Sequence, residues 1–258
     1  MDDNNFLHVS KTGGTTLLKI KIVLSYDGSA FMGSQSQHST ANTVMGTFQK
    51  ILDDLGINDI AVASGRTDRN VHANAQVIHV SIPEYWSNLS RLEHTLNIRL
   101  PHTMRVRSIR NVQDTFHARY SAQKRIYRYI LSTQTPSPFL QRYVTFVDTL
   151  DLDTLNHAMA LFVGKHDFKY FMKQGSDTKS SVREIYRAFA YRHQTFIVLH
   201  FEANGYLRSQ IRLMVGFLLQ ISKHALSHQQ LQEQLSCQNI YSRKLAPPNG
   251  LYLAKIKY

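Results

Sequence analysis

Residues Ala61–Val80 read AVASGRTDRNVHANAQVIHV. Two apolar, strand-like runs flank a turn that crowds together Arg66, Thr67, Asp68, Arg69, Asn70 and His72, so strand, turn, strand is the local expectation. A carboxylate flanked by guanidinium groups is kept ionised by them. An ionised, oriented Asp acts as nucleophile or base toward an electron-poor carbon. A structural Arg–Asp pair in a solvated turn has the same composition, so the rest of the chain must decide between the two.

The chain has 258 residues, of which 43% are hydrophobic and 19% charged, with 12 Gly and 6 Pro. Neither disorder nor a fibrous repeat fits that composition, and the length suits one large domain or two ordinary ones. Charge is the unusual quantity. Lys and Arg number 30 against 18 acids, a formal net charge of +12, and such an excess calls for a polyanionic partner. No apolar run approaches the roughly 18 residues of a spanning helix, and the opening MDDNNF is acidic where a secretory signal is basic. A protein without a membrane segment, in the cytoplasm, is therefore expected. The single cysteine, Cys237, excludes a disulfide within the chain and a Cys-cluster metal site. His224 and His228 have metal-like spacing but no Glu of a His-Glu-x-x-His motif, so no metal is expected.

Residues 1–15 read as a flexible extension. From Leu17, LLKIKIVLSYDGS alternates as a strand before an Asp-Gly turn. Apolar spacing predicts helices over residues 42–55 and from Leu89 to Leu100, the latter stopped by Pro101. Residues 104–112 are expected as a strand with Arg105 and Arg107 on one face. Further on, the pattern predicts a strand over 125–131, a helix over 152–164, a hairpin turning at His193 and Gln194, and a closing strand GLYLAKIKY. It also predicts a helix from Leu207 to Lys223 with Arg208 and Arg212 one turn apart. The fold class is α+β: two similar halves, 16–112 and 113–258, each a largely antiparallel sheet backed by helices, with a basic active-site cleft expected between them.

Basic residues concentrate near the join. Between Arg99 and Arg128 stand eight Lys or Arg and one acid, Asp114, interleaved with Phe116, Tyr120, Tyr127 and Tyr129. Cations that track phosphate beside rings that stack on bases suit looped or single-stranded RNA, and Lys124, Arg125 and Arg128 are candidates for that contact together with Arg69 and Arg208. A solvated strand face over core tyrosines is the plainer alternative. No helix-turn-helix or zinc signature supports duplex DNA binding.

SGRTDRNVHANAQVIHV resembles the Gly-Arg-Thr-Asp-x-Gly-Val-His-Ala motif of the TruA family of tRNA pseudouridine synthases. Further segments match in that family's order: LSYDGSAFMGSQSQ, FHARYSAQKRIYRYIL, FVGKHDFKYF, GYLRSQIRLMVGFLLQI and APPNGLYLAKIKY. The resemblance implies an isomerase that converts uridine to pseudouridine at positions 38 to 40 of the tRNA anticodon stem-loop, without cofactor or metal, as a homodimer. By motif position it implies that Asp68 is the catalytic carboxylate with Arg66 beside it, that Tyr127 packs against the target base, that Arg212 pairs with the aspartate, and that Leu251 packs beneath the site. Four positions depart from the family pattern. Asn70 stands for a Gly, which points to a left-handed residue that Asn tolerates next best. Arg69 replaces a small residue, Gln210 a Met, and Ser34 the Trp of Gly-Trp-Gln, with loss of an aromatic anchor expected. The alternative to an enzyme is a tRNA-binding or RNA chaperone protein without catalysis.

Overall fold

The computed structural model describes residues 10–12, 15–37, 39–175 and 178–258. They form two compact units, Met1–Ala122 with Tyr258, and Gln123–Lys257. Each is α+β, a largely antiparallel sheet carrying helices.

In the first unit the strands are β1 (Ser10–Thr12), β2 (Thr15–Tyr26), β3 (Val62–Ala63), β4 (His72–Pro83) and β5 (Met104–Asn111), and the helices are α1 (Val44–Asp54) and α2 (Leu89–Arg99). Strand β2 is the spine. It pairs antiparallel with β1, β4 and β5, and β3 adds to β4. The alternation expected from Leu17 puts Leu18, Ile20, Ile22 and Leu24 in the core. Most of the expected extension 1–15 falls outside the described residues, although Ser10–Thr12 pairs with Thr15–Leu17. Of the two runs flanking the turn, the second is a full strand and the first is only the two residues of β3.

Helix α1 is shorter at both ends than the expected 42–55. Thr43 takes the cap, its hydroxyl accepting the Gly46 N–H at 3.0 Å. Phe48 and Leu52 are fully buried, each contributing about 1.5–3 kcal/mol by area removed from water. Helix α2 docks on β5 through Asn97, whose amide exchanges two 2.9 Å hydrogen bonds with the Val106 backbone. Residues 113–122, which lie beyond the boundary expected at 112, count with the first unit. Lys19 Nζ donates to the Asp114 carbonyl at 2.6 Å and the Ala118 N–H donates to His79 Nδ1 at 3.1 Å.

The second unit holds strands β6 (Lys124–Ser132), β7 (Thr145–Phe146), β8 (Gly164–Asp167), β9 (Val182–His193), β10 (Phe196–Ala203) and β11 (Leu251–Lys257), with helices α3 (Leu152–Ala160), α4 (Gln210–Ser222) and α5 (His228–Leu235). The strand order is β11, β6, β10, β9, β8, all antiparallel, with β7 parallel to β6. The hairpin turns one residue later than expected, at Gln194 and Thr195, because Gln194 takes the left-handed φ of 53°. Helix α3 ends at Ala160 instead of 164, since Gly164, at φ 113°, already opens β8. Helix α4 begins at Gln210, three residues into the expected span. Ser209 at φ 60° breaks helical continuity there. Arg208 consequently lies in the bend before α4 and does not share a helix face with Arg212.

Candidate active site

The turn Arg66–Val71 is held by backbone and buried hydroxyls. Ser64 N–H donates to the Val77 carbonyl at 2.8 Å, and its hydroxyl donates to Gln76 Oε1 at 2.7 Å. Gln76 Nε2 returns to the Gly65 carbonyl at 2.9 Å. The loop after β2 wraps the same turn. Gly28 donates to His72 Nδ1 at 3.1 Å and accepts from the Asn70 N–H at 3.2 Å. The approach is so close that a Cβ on Gly28 would lie 2.0 Å from the Val71 carbonyl oxygen, so only glycine fits. Asn70 adopts φ 63°, the left-handed conformation that its replacement of glycine implied.

Thr67, one residue before Asp68, is fixed from two sides. Its N–H donates to Ser34 Oγ at 2.7 Å, and its carbonyl accepts the Ser34 N–H at 3.1 Å. The Thr67 hydroxyl shares a 2.8 Å hydrogen bond with the Tyr26 hydroxyl. Ser34 and Tyr26 are buried, and burial pushes the Tyr26 phenol up to about 12, so it is protonated at neutral pH. Ser34, where the expected loss of an aromatic anchor falls, is buried and makes hydrogen bonds to the turn. Asp68 is half-buried, while Arg66 and Arg69 are exposed on the turn.

Within the second unit, Tyr127 is half-buried on β6, with the Tyr206 ring packed edge-on at 5.3 Å and 85°. Side chains alternate along a strand. Arg125, Tyr127 and Tyr129 thus share one face of β6, together with Leu251 and Leu253, which pair with Tyr129 and Tyr127. Lys124 and Arg128 take the opposite face. There Lys124 Nζ lies 3.2 Å from the buried Glu202 carboxylate, and Lys257 Nζ lies 3.3 Å from the same oxygen. Burial raises the Glu202 acid, but the two ammonium groups overcome it and hold the carboxyl below its ordinary value.

On α4, Arg212 Nε donates to the Ala246 carbonyl at 2.9 Å and the Arg212 carbonyl accepts the Ala246 N–H at 2.9 Å. Gly216 permits that docking, since a Cβ there would meet the Lys244 carbonyl oxygen at 1.9 Å. Gln210 is also accounted for: its Oε1 accepts the Leu207 N–H at 2.8 Å and satisfies a buried donor at the helix start. Arg208 is exposed, and Leu251 is buried. Sequence reasoning missed the supporting residues Tyr26, Gly28 and Gln76. The Tyr-Asp-Gly of LSYDGS carried a signal for the first two, but what they touch is more than forty residues away in sequence.

Residues 22–121 and 158–258 match the family model described as tRNA pseudouridine synthase. A tRNA pseudouridine synthase A of Campylobacter jejuni (strain RM1221) is 42% identical over 241 residues, covering 93% of this chain and 100% of that one. The Wolinella succinogenes protein of the same name is 40% identical, covering 91% and 92%. That of Helicobacter pylori is 37% identical, covering 92% and 98%. A chain from a solved Cbf5-Nop10-Gar1 complex covers 78% of this chain and 44% of its own length at 11% identity and a TM-score of 0.36, a likeness too slight to bear on the fold.

Proposed function

The chain belongs to the tRNA pseudouridine synthase family, and from that membership we propose that it isomerises uridine to pseudouridine at positions 38 to 40 of the tRNA anticodon stem-loop. The observation that carries the reading is the Gly65–Val71 turn, in which Asp68 follows a threonine fixed from two sides. A carboxylate meant only to decorate a surface turn has no need of that support.

Asp68 is the catalytic carboxylate, acting as nucleophile or as base. The glycosidic bond from C1′ to N1 breaks, the uracil turns, C5 bonds to C1′, the C5 proton is lost to solvent and N1 takes up a proton. The product is an isomer of the substrate with no net oxidation or reduction, so no cofactor or metal is called for. A base reacts in this way only when flipped from its stack and held between side chains. Tyr127, braced edge-on by Tyr206, supplies the ring for the uracil, and Leu251 the apolar floor. Arg212 supplies the guanidinium that balances the carboxylate. Arg66, Arg69, Arg125 and Arg208 meet phosphate. Lys124 and Arg128, on the other face of β6, add to the field of the basic surface. We further propose that the protein is a homodimer, as the family resemblance implies, and that it works in the cytoplasm, as its single cysteine suggests. Among the described residues, no helix is long and apolar enough to cross a membrane.

Tritium release from 5-tritiated uridine in an unmodified tRNA anticodon arm, without added metal, tests the reading. Wild type releases tritium and Asp68→Ala loses the activity by roughly 10³-fold or more, with tRNA affinity within about tenfold because phosphate contacts dominate binding. Turnover by Asp68→Ala would overturn the catalytic assignment. Tight binding without release by wild type would make the protein a tRNA binder without catalysis.

A further inference from the structure

We propose that Ser34 and Tyr26 are positioning residues that set the geometry of the Asp68 carboxylate by clamping Thr67, an inference that rests on Asp68 being the catalytic group.

The support is a continuous chain of short contacts. Helix α1 is seated in the core by Phe48 and Leu52. Its first backbone donors, Val44 N–H and Met45 N–H, have no partner within the helix and are taken by the carbonyls of Gly33 at 3.2 Å and Ser34 at 2.9 Å. Gly33 makes that possible at φ 113°. The loop 33–34 is therefore anchored to α1, and Ser34 shares three hydrogen bonds with the Thr67 backbone: its N–H and hydroxyl donate to the Thr67 carbonyl at 3.1 and 3.3 Å, and its Oγ accepts the Thr67 N–H at 2.7 Å. On the side-chain side, the Tyr26 hydroxyl holds the Thr67 hydroxyl from β2. Both donors and acceptors are buried, so water does not compete for them. Thr67 has neither its backbone nor its hydroxyl free to turn. Asp68 is the next residue in the chain.

A catalytic carboxylate displaced by about 1 Å loses roughly a hundredfold in rate. Removing one hydroxyl from the clamp leaves the Thr67 N–H buried without an acceptor, or its hydroxyl without a partner, and the turn relaxes to satisfy it. The effect belongs to the chemical step. Ser34, Tyr26 and Thr67 are buried and face no solvent through which phosphate would reach them, so tRNA affinity stays unchanged.

The test compares Ser34→Ala, Tyr26→Phe, Asp68→Ala and Ile57→Val, the last a fully buried core change in the same unit at a residue whose N–H bonds to the Leu52 carbonyl. Single-turnover tritium release, tRNA Kd and Tm are measured for each. The expected result is release slowed about 10- to 100-fold for Ser34→Ala and about 5- to 10-fold for Tyr26→Phe, with Kd within twofold of wild type. Ile57→Val lowers Tm and keeps the wild-type rate. If Ser34→Ala does not fold, Tyr26→Phe decides alone, since it deletes one oxygen and keeps the ring. Release within twofold of wild type in the folded clamp variants, with Asp68→Ala inactive, overturns the clamp and leaves the proposed function standing. An equal slowing by Ile57→Val also overturns it, by showing that the rate follows stability. Turnover by Asp68→Ala overturns both.

Discussion

His79 shows how one side chain on β4 ties protonation to a distant segment. Its Nδ1 accepts the Ala118 N–H at 3.1 Å, which requires the neutral ring with its proton on Nε2. Burial lowers its pKa first, and Lys19 and His117 add to that against the opposing pull of Asp59, taking it from the ordinary 6.5 to about 4. An unfolded chain binds the proton at pH 6.5 and the native one only near 4, so between those values the unfolded state holds more protons. Stability is therefore complete above pH 6.5 and is lost as pH falls toward 4. Denaturant unfolding over that window should show the wild type losing about 2–3 kcal/mol more than His79→Asn, whose amide oxygen accepts the same N–H without titrating. Parallel curves for the two proteins would remove His79 as the titrating group. The histidine was visible in the sequence, but neither its role nor the placement of 113–122 with the first unit was, because both depend on a contact 39 residues away.

Alternation along β6 turns a run of basic residues into two populations. KRIYRY reads in sequence as one patch, yet the pleat sends Arg125 to the face of Tyr127 and Lys124 to the face where Glu202 waits. Arg125→Ala should reduce the slope of log Kd for tRNA against log salt by about one, the loss of one phosphate contact. Lys124→Ala should leave that slope unchanged and lower Tm instead, since Glu202 is then left buried with Lys257 as its ammonium partner. The reverse pattern would place the RNA on the opposite face. Elements with a strong period were legible: β2, α1, α2, β6 and the β9–β10 hairpin follow from apolar spacing. Strand β8, GKHD, and the two-residue β7 carry no period to read. Helix α5, HQQLQEQL, offers only two leucines, and its signal was the capping box of Ser227 and Gln230, which a search for helix starts finds. At the proposed site, the motif resemblance put forward Asp68, Tyr127 and Arg212, whereas Ser34 read as a loss because its partner Thr67 lies 33 residues away.

For the molecule as a whole, binding and chemistry draw on different physics. The formal charge of +12 is a property of many side chains spread over both units, and it acts on a polyanion over distances of about a Debye length. Thr67, the residue before Asp68, is held by buried hydrogen bonds of 2.7–3.1 Å that salt does not screen, and these are the bonds proposed to set the carboxylate's geometry. The two are therefore separable by ionic strength. Raising salt from about 50 to 200 mM should weaken tRNA binding by roughly 10³-fold or more if six or more phosphates are contacted, and should leave the single-turnover rate at saturating tRNA nearly unchanged. Asp68→Ala takes the net charge from +12 to +13 by deleting one acid. Its log Kd against log salt should run parallel to that of wild type and lie level with it or slightly tighter, because a carboxylate near RNA phosphate repels and does not attract. Binding by Asp68→Ala weakened more than tenfold, or a changed slope, would mean that the carboxylate organises the basic surface itself, and the separation of field from site would fail.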